Sequence, residues 1–136
     1  MDIALAGIGK IAIDQHVPAI AASDDWELTA CISRHNAVDG VEAYANFNEL
    51  LEKRPDIRVV SLCMPPVPRF DIAARAIMAG KHTMLEKPPG ATVSEVLQLE
   101  QLAIEALLPA PGLLPDFRRV DDRQPHLLPA DGVHLL

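Results

Sequence analysis

The chain has 136 residues, 49% of them hydrophobic and 23% charged, which suits one globular core and leaves no room for two full domains. Twelve basic against nineteen acidic side chains leave a formal charge of −7, so no basic excess exists to neutralise a nucleic-acid backbone. A phosphorylated small molecule needs only local amides and one arginine, so the charge speaks against nucleic acid far more than against nucleotides.

Met1-Asp2 is followed by a short apolar stretch with no basic segment ahead of it, so no secretory leader is expected. No apolar run approaches the ~18 residues that span a membrane. The expectation is a soluble, cytoplasmic protein with no membrane or nucleic-acid partner and no metal site. Cys31 and Cys63 both fall in apolar runs that read as strands, where a small buried hydrophobe is favoured over a disulfide or a reactive thiol.

Residues 2–6 form a short apolar run ending at Gly7, which reads as a buried strand. A helix is expected from about Lys10 to Ala22, kinked or broken near His16-Val17 because Pro18 cannot continue it smoothly. A second strand covers roughly Leu28 to Ser33. Residues 35–46 make a looser connection with a short extended piece at Val41–Tyr44. Asn46 followed by Glu49 has the pattern of a helix cap, opening a helix to about Lys53 that stops before Pro55. Residues 57–63 are rich in β-branched side chains and end at Pro65-Pro66, a third strand. A helix from about Pro68 to Ala79 closes on Gly80, residues 81–85 make a fourth strand, and Thr92 with Glu95 caps a helix to about Glu105. This alternation predicts an α/β fold with a parallel, Rossmann-like sheet and helices on both faces. Ligands in such sheets gather beyond the carboxyl ends of the strands.

The first strand end carries Gly7-Ile8-Gly9-Lys10-Ile11-Ala12, a G-x-G-x-x-A turn between strand and helix. Gly7 permits the tight turn, Gly9 lets a pyrophosphate approach the backbone, and Ala12 lets the helix pack closely on the strand. An acidic residue ~20 positions on would grip the ribose 2′-hydroxyl of NAD. Ser33-Arg34-His35 stands there instead, while Asp24 and Asp25 come too early. Serine and arginine suit a 2′-phosphate, so NADP is expected ahead of NAD; the other reading of Arg34 is a solvated loop residue. The third strand end, Cys63-Met64-Pro65-Pro66 with Arg69 just beyond, reads as a rigid ledge that flanks the nicotinamide ribose or simply ends the strand. The fourth end places Glu86-Lys87-Pro88 beside the expected cofactor.

Together, Gly7–Ala12, the segment Asp14–Ile20 with its His16-Val17-Pro18, the Cys63–Pro66 ledge and Leu85–Thr92 resemble the Gfo/Idh/MocA family of oxidoreductases. The resemblance covers about residues 2–105 and is nearest to members that oxidise aldoses such as galactose or arabinose. It implies an NAD(P)-dependent dehydrogenase that takes a hydride from the anomeric carbon of a sugar, leaving a lactone. In the family the lysine matching Lys87 lies near nicotinamide and substrate and assists proton transfer, for which a partly desolvated lysine is suited. Glu86 and Pro88 match residues that position it. Gly7, Gly9, Lys10 and Ile11 match the pyrophosphate turn, and Ser33 and Arg34 match positions that accept a 2′-phosphate.

Family members are more than twice as long, and their sugar-binding second domain has no counterpart here. The nucleotide-binding domain is therefore assigned to residues 1–105 and looks incomplete on its C-terminal side. From Ala106 the composition changes: all four lysines and all eight glutamates precede it, whereas five of the twelve prolines lie between Pro109 and Pro129. Residues 106–136 read as an irregular, Pro/Leu-rich tail, either a docking segment of a short protein or, the favoured reading, a shifted reading frame. An apolar sheet edge left uncovered would promote self-association. Three functions remain open: an NADP-dependent aldose dehydrogenase or its cofactor half, a nucleotide-binding module without turnover, and an inactive fragment.

Overall fold

The computed structural model describes residues 1–107, so the expectations for the tail beyond Leu107 lie outside the described residues. Five strands form one sheet: β1 (Asp2–Ala6), β2 (Glu27–Ile32), β3 (Glu42–Tyr44), β4 (Val59–Leu62) and β5 (His82–Leu85). Their order is β3-β2-β1-β4-β5 and every pairing is parallel. The connections run through α1 (Val17–Ala21), α2 (Phe47–Lys53) and α3 (Pro66–Met78), and α4 (Val93–Leu107) follows β5. Strand order reverses between β1 and β4, which opens a crevice at their carboxyl ends.

Side chains alternate across each strand, and the two faces hold separate cores. On one face Ala4, Ala6, Ala30, Ile32, Val60 and Leu62 meet Phe47 and Leu50 of α2, Ala73 and Ile77 of α3, and Leu99 of α4. The small alanines of β1 let these helices sit close. On the other face Leu5 and Cys31 meet Ile8, Ala12, Val17 and Ile20 around the first helical segment. Helices therefore cover both faces, as the strand–helix alternation predicts.

The first helix departs from the expected form. Residues Ala12–His16 make a π-helical turn in which the Val17 amide donates to the Ala12 carbonyl, five residues back. Pro18 explains the position of this turn: it has no amide proton and its ring would crowd the Asp14 carbonyl in a regular helix. Pro18 itself falls in the first turn of α1, where a missing donor costs little. The break thus sits where the sequence placed it, in a wider form.

Other boundaries shift for equally local reasons. Helix α3 begins at Pro66 rather than Pro68, because Pro66 stands at the first helical position and Pro65 is the cap. Gly80 closes it with φ of 71°, donating to Ile77 O at 2.9 Å while Lys81 donates to Ala76 O at 2.9 Å. That use of Lys81 delays β5 to His82. Asn46 caps α2 by accepting from the Glu49 amide at 3.1 Å, and Thr92 caps α4 by accepting from the Glu95 amide at 3.2 Å.

Both cysteines are free thiols: Cys31 is buried in β2 and Cys63 is half-buried beyond β4. Burial pushes the Cys63 thiol up, outweighing the Ser61 hydrogen bond that lowers it, while the Glu86 carboxylate adds to the rise and Arg69 opposes it weakly. The Cys63 thiolate is thereby disfavoured and Cys31 is fully buried, so both thiols should resist a disulfide reagent at pH 8 until the chain unfolds; prompt labelling of the folded protein would contradict this. Replacing the fully buried Leu62 by Ala should cost about 2–5 kcal/mol in urea unfolding. The same change at Leu97, 57% exposed, should stay within about 0.5 kcal/mol.

Candidate functional site

At the end of β1 the chain turns on Gly7, whose φ is 87° and whose amide donates to Ile32 O at 2.9 Å. A Cβ at Gly7 would lie 2.8 Å from the Met64 nitrogen and 2.9 Å from the Met64 Cβ. Conformation and proximity to the β4 end both require glycine there. Gly9 differs: a Cβ would meet nothing within 4 Å, so its backbone faces open space. Helical hydrogen bonding starts from it, with Ile13 donating to Gly9 O at 3.1 Å. Ala12, fully buried, packs against Leu5, Ile8 and Cys31, so the small residue of the motif sits against the sheet. Lys10 and Ile11 are exposed at the start of the helical segment, and Lys10 pairs with Asp14.

Beyond β2, Ser33 Oγ accepts from the amides of His35 at 3.3 Å and Asn36 at 3.2 Å, folding the loop back on itself. Arg34 and His35 are exposed. Asn36 Nδ2 donates to Ile8 O at 2.8 Å and ties this loop to the glycine turn. Sequence reasoning did not single out Asn36; its one signal was an amide side chain in a loop beyond a strand end.

Cys63 donates its amide to Ala6 O at 2.8 Å, so the ledge stays in register with β1. Met64 is half-buried and Pro65 is exposed. Arg69 corrects the sequence expectation. It is 2% exposed, with Nε donating to Met64 O at 3.0 Å and Nη2 to the same carbonyl. Nη1 donates to Glu86 O and Pro88 O. The guanidinium is committed to three backbone carbonyls beneath the cleft, so Arg69 braces the site instead of reaching a cofactor. Burial pulls its pKa down, and the nearby Glu86 carboxylate counters that.

Beyond β5, Glu86 donates its amide to Leu62 O at 3.4 Å, and its Oε1 lies 2.7 Å from His16 Nε2. His16 comes from the π-helical turn, 70 residues away in sequence. Its place in the motif was visible in the sequence; its partner was not. Lys87 is exposed rather than partly desolvated, and the Lys87-Pro88 peptide bond is cis. The ends of β1, β2, β4 and β5 therefore bring Gly7, Gly9, Ser33, Arg34, Met64 and Lys87 to one edge of the sheet.

Residues 1–108 match the model of an oxidoreductase family with an NAD-binding Rossmann fold. The chain belongs to the Gfo/Idh/MocA family. It is 42% identical over 93 residues to a galactose 1-dehydrogenase of Pseudomonas fluorescens, covering 68% of this chain and 31% of that protein. The crystal structure of a D-galactose-1-dehydrogenase from Rhizobium etli superposes with a TM-score of 0.75 at 50% identity, over 77% of this chain and 34% of that one. A 3-ketoreductase from Actinomadura kijaniata, solved with NADP and TDP-benzene, gives a TM-score of 0.70 at 30% identity, over 78% and 34% of the two chains. The chain thus spans about a third of the length of these relatives.

The family implies a nicotinamide dinucleotide, and the residues present fit one. Gly9 offers bare backbone where a phosphate must come close, and the amides of the first helical turn lie beside it. Gly9→Ala should leave the urea midpoint nearly unchanged while weakening dinucleotide binding. Gly7→Ala should instead lower stability by at least ~1 kcal/mol, through left-handed strain and overlap with Met64. Equal effects on stability would contradict this division. Arg69→Leu strands three carbonyls and should cost at least ~3 kcal/mol by the same assay.

Proposed function

We propose that this chain binds a nicotinamide dinucleotide, NADP ahead of NAD, and is the cofactor-binding part of a dehydrogenase that oxidises an aldose at C1 to a lactone. The observation that carries the binding is the open backbone at Gly9, set between a buried strand and a helical start. The sugar class is supported by the likeness to two galactose 1-dehydrogenases, at 42% and 50% identity.

The residues divide the task by location. Gly7, Gly9, Lys10 and Ile11 form the turn for the pyrophosphate. Ser33, Arg34 and His35 stand where an adenosine ribose would lie; the exposed guanidinium of Arg34 can pair with a 2′-phosphate and cover the adenine. Cys63, Met64, Pro65 and Pro66 wall the cleft at the switch point. The nicotinamide ring supplies two-electron, hydride-transfer chemistry when bound. Lys87, exposed at the end of β5, is assigned the handling of the sugar hydroxyl proton, a role supported by its match to the family's lysine. Glu86 and Pro88 fix its backbone on either side. A small-molecule sugar is the partner this reading requires. Among the described residues no helix is long and apolar enough to cross a membrane.

A second reading is dinucleotide binding without turnover by this chain, favoured by its span of about a third of the relatives' length. Titration of the 136-residue chain with NADPH and NADH, followed by cofactor fluorescence, tests the binding. NADPH should bind more tightly. Arg34→Ala should lower NADPH affinity about ten- to a hundredfold, the equivalent of ~1.4–2.8 kcal/mol, and leave NADH unchanged. Equal affinities, or an equal loss for both cofactors, would overturn the NADP preference. Incubation with NADP and D-galactose or L-arabinose tests turnover. The chain alone should produce no NADPH, whereas sugar-dependent NADPH production would overturn the second reading.

A further inference from the structure

Lys87 has an exposed side chain, yet the backbone on both sides of it is held from within the protein. Arg69 Nη1 donates to the carbonyls of Glu86 and Pro88, one on each side of the lysine. The Glu86 amide donates to Leu62 O at 3.4 Å, which anchors the same residue to β4. One degree of freedom remains at Glu86, its side chain, and His16 Nε2 takes it at 2.7 Å. Both side chains are mostly shielded, at 17% exposure for His16 and 24% for Glu86. A carboxylate can only accept, so His16 presents its Nε2–H to Oε1. The residue that supplies this donor belongs to the helical segment starting at Gly9, so the bond joins the β1 side of the cleft to the β5 side.

We propose that His16 is a positioning residue for Lys87: by holding the Glu86 carboxylate it fixes, together with Arg69, the turn that presents the lysine to the cleft. Remove the imidazole and Glu86 keeps its main-chain anchors but loses its side-chain tether, so the carboxylate beside Lys87 is released and the turn is held by Arg69 and Leu62 alone. The significance of Lys87 rests on the proposed dehydrogenase reading. The positioning itself does not, and it is measurable with no cofactor present.

The chain has only four lysines, Lys10, Lys53, Lys81 and Lys87, so ¹³C reductive methylation of their amines gives few signals and preserves their charge. Lys87→Arg identifies the Lys87 signal by its loss. His16→Ala should shift or broaden that signal and leave the other three lysine signals and that of the Met1 α-amine in place. In a Glu86→Ala background His16→Ala should have no further effect, because the two act through one contact. His16→Gln, which keeps an N–H donor, should restore the Lys87 signal towards that of the unaltered chain. An unmoved Lys87 signal in His16→Ala, or an equal shift with and without Glu86, would overturn the proposal. If His16→Ala moves all the lysine signals the fold has suffered, and His16→Phe, which keeps the ring's bulk without its N–H, then takes its place in the same cycle. NADPH titration of the same samples is independent: failure to bind cofactor would count against the dehydrogenase reading and leave the positioning result standing.

Discussion

The Arg69 guanidinium joins two strand ends that the chain visits 23 residues apart, at Leu62 and Leu85, and both walls of the cleft depend on that junction. Met64 O belongs to the β4 end, while Glu86 O and Pro88 O belong to the β5 end. Backbone carbonyls beyond the last ladder bond of a strand have no partner in the sheet, and a buried one without a donor costs ~1–3 kcal/mol. A lysine there would offer a point charge, whereas the planar guanidinium offers donors in fixed directions to three acceptors. The brace in turn needs the α3 start: Pro66 nucleates the helix early enough to put residue 69 beneath the cleft floor. Met64, held by Arg69, then abuts Gly7 and closes the link to the cofactor turn.

The opposite end of the sheet is organised by another arginine with different partners. Arg54 reaches Glu42 at 3.0 Å, Asp56 at 2.8 Å and Asp2 at 3.5 Å, so it gathers carboxylates near the starts of β3, β4 and β1. Those pairs are largely in contact with water, and salt screens them. Arg69 is buried and bonded to neutral carbonyls. One end is therefore held by screened ion pairs and the other by water-excluded hydrogen bonds, and the water-excluded bracket is the one at the cleft.

Much of this was legible in the residues. The period of strand and helix, the caps at Asn46 and Thr92 and the closing Gly80 all act within a few positions, so local chemistry reveals them. The Gly7–Gly9 turn was legible for the same reason. Features that join distant segments were not: the His16–Glu86 bond spans 70 residues and the Asn36–Ile8 bond 28. Arg69 was misread for this reason. An arginine near a strand end suits a phosphate as well as it suits carbonyls, and only the packing of α3 on the β5 turn decides between them. The form of the first helix was half legible, since Pro18 announces a break but does not say whether the helix bends or widens.

The two glycines of the turn mark a boundary that matters to anyone who would redesign the site. Gly7 touches Met64 so closely that a single methyl group cannot be inserted, and Met64 is fastened to Arg69. Ser33, Arg34 and His35 lie on a loop that contacts the turn through Asn36 and the β3 end through the Ser33 amide, and the Arg34 and His35 side chains face solvent. The loop beyond β2 and the glycine turn are thus held by largely different contacts in this chain. A change in the loop beyond β2 would stay local, while an alteration at the turn would propagate through Met64 and Arg69 to the far wall before any ligand arrived.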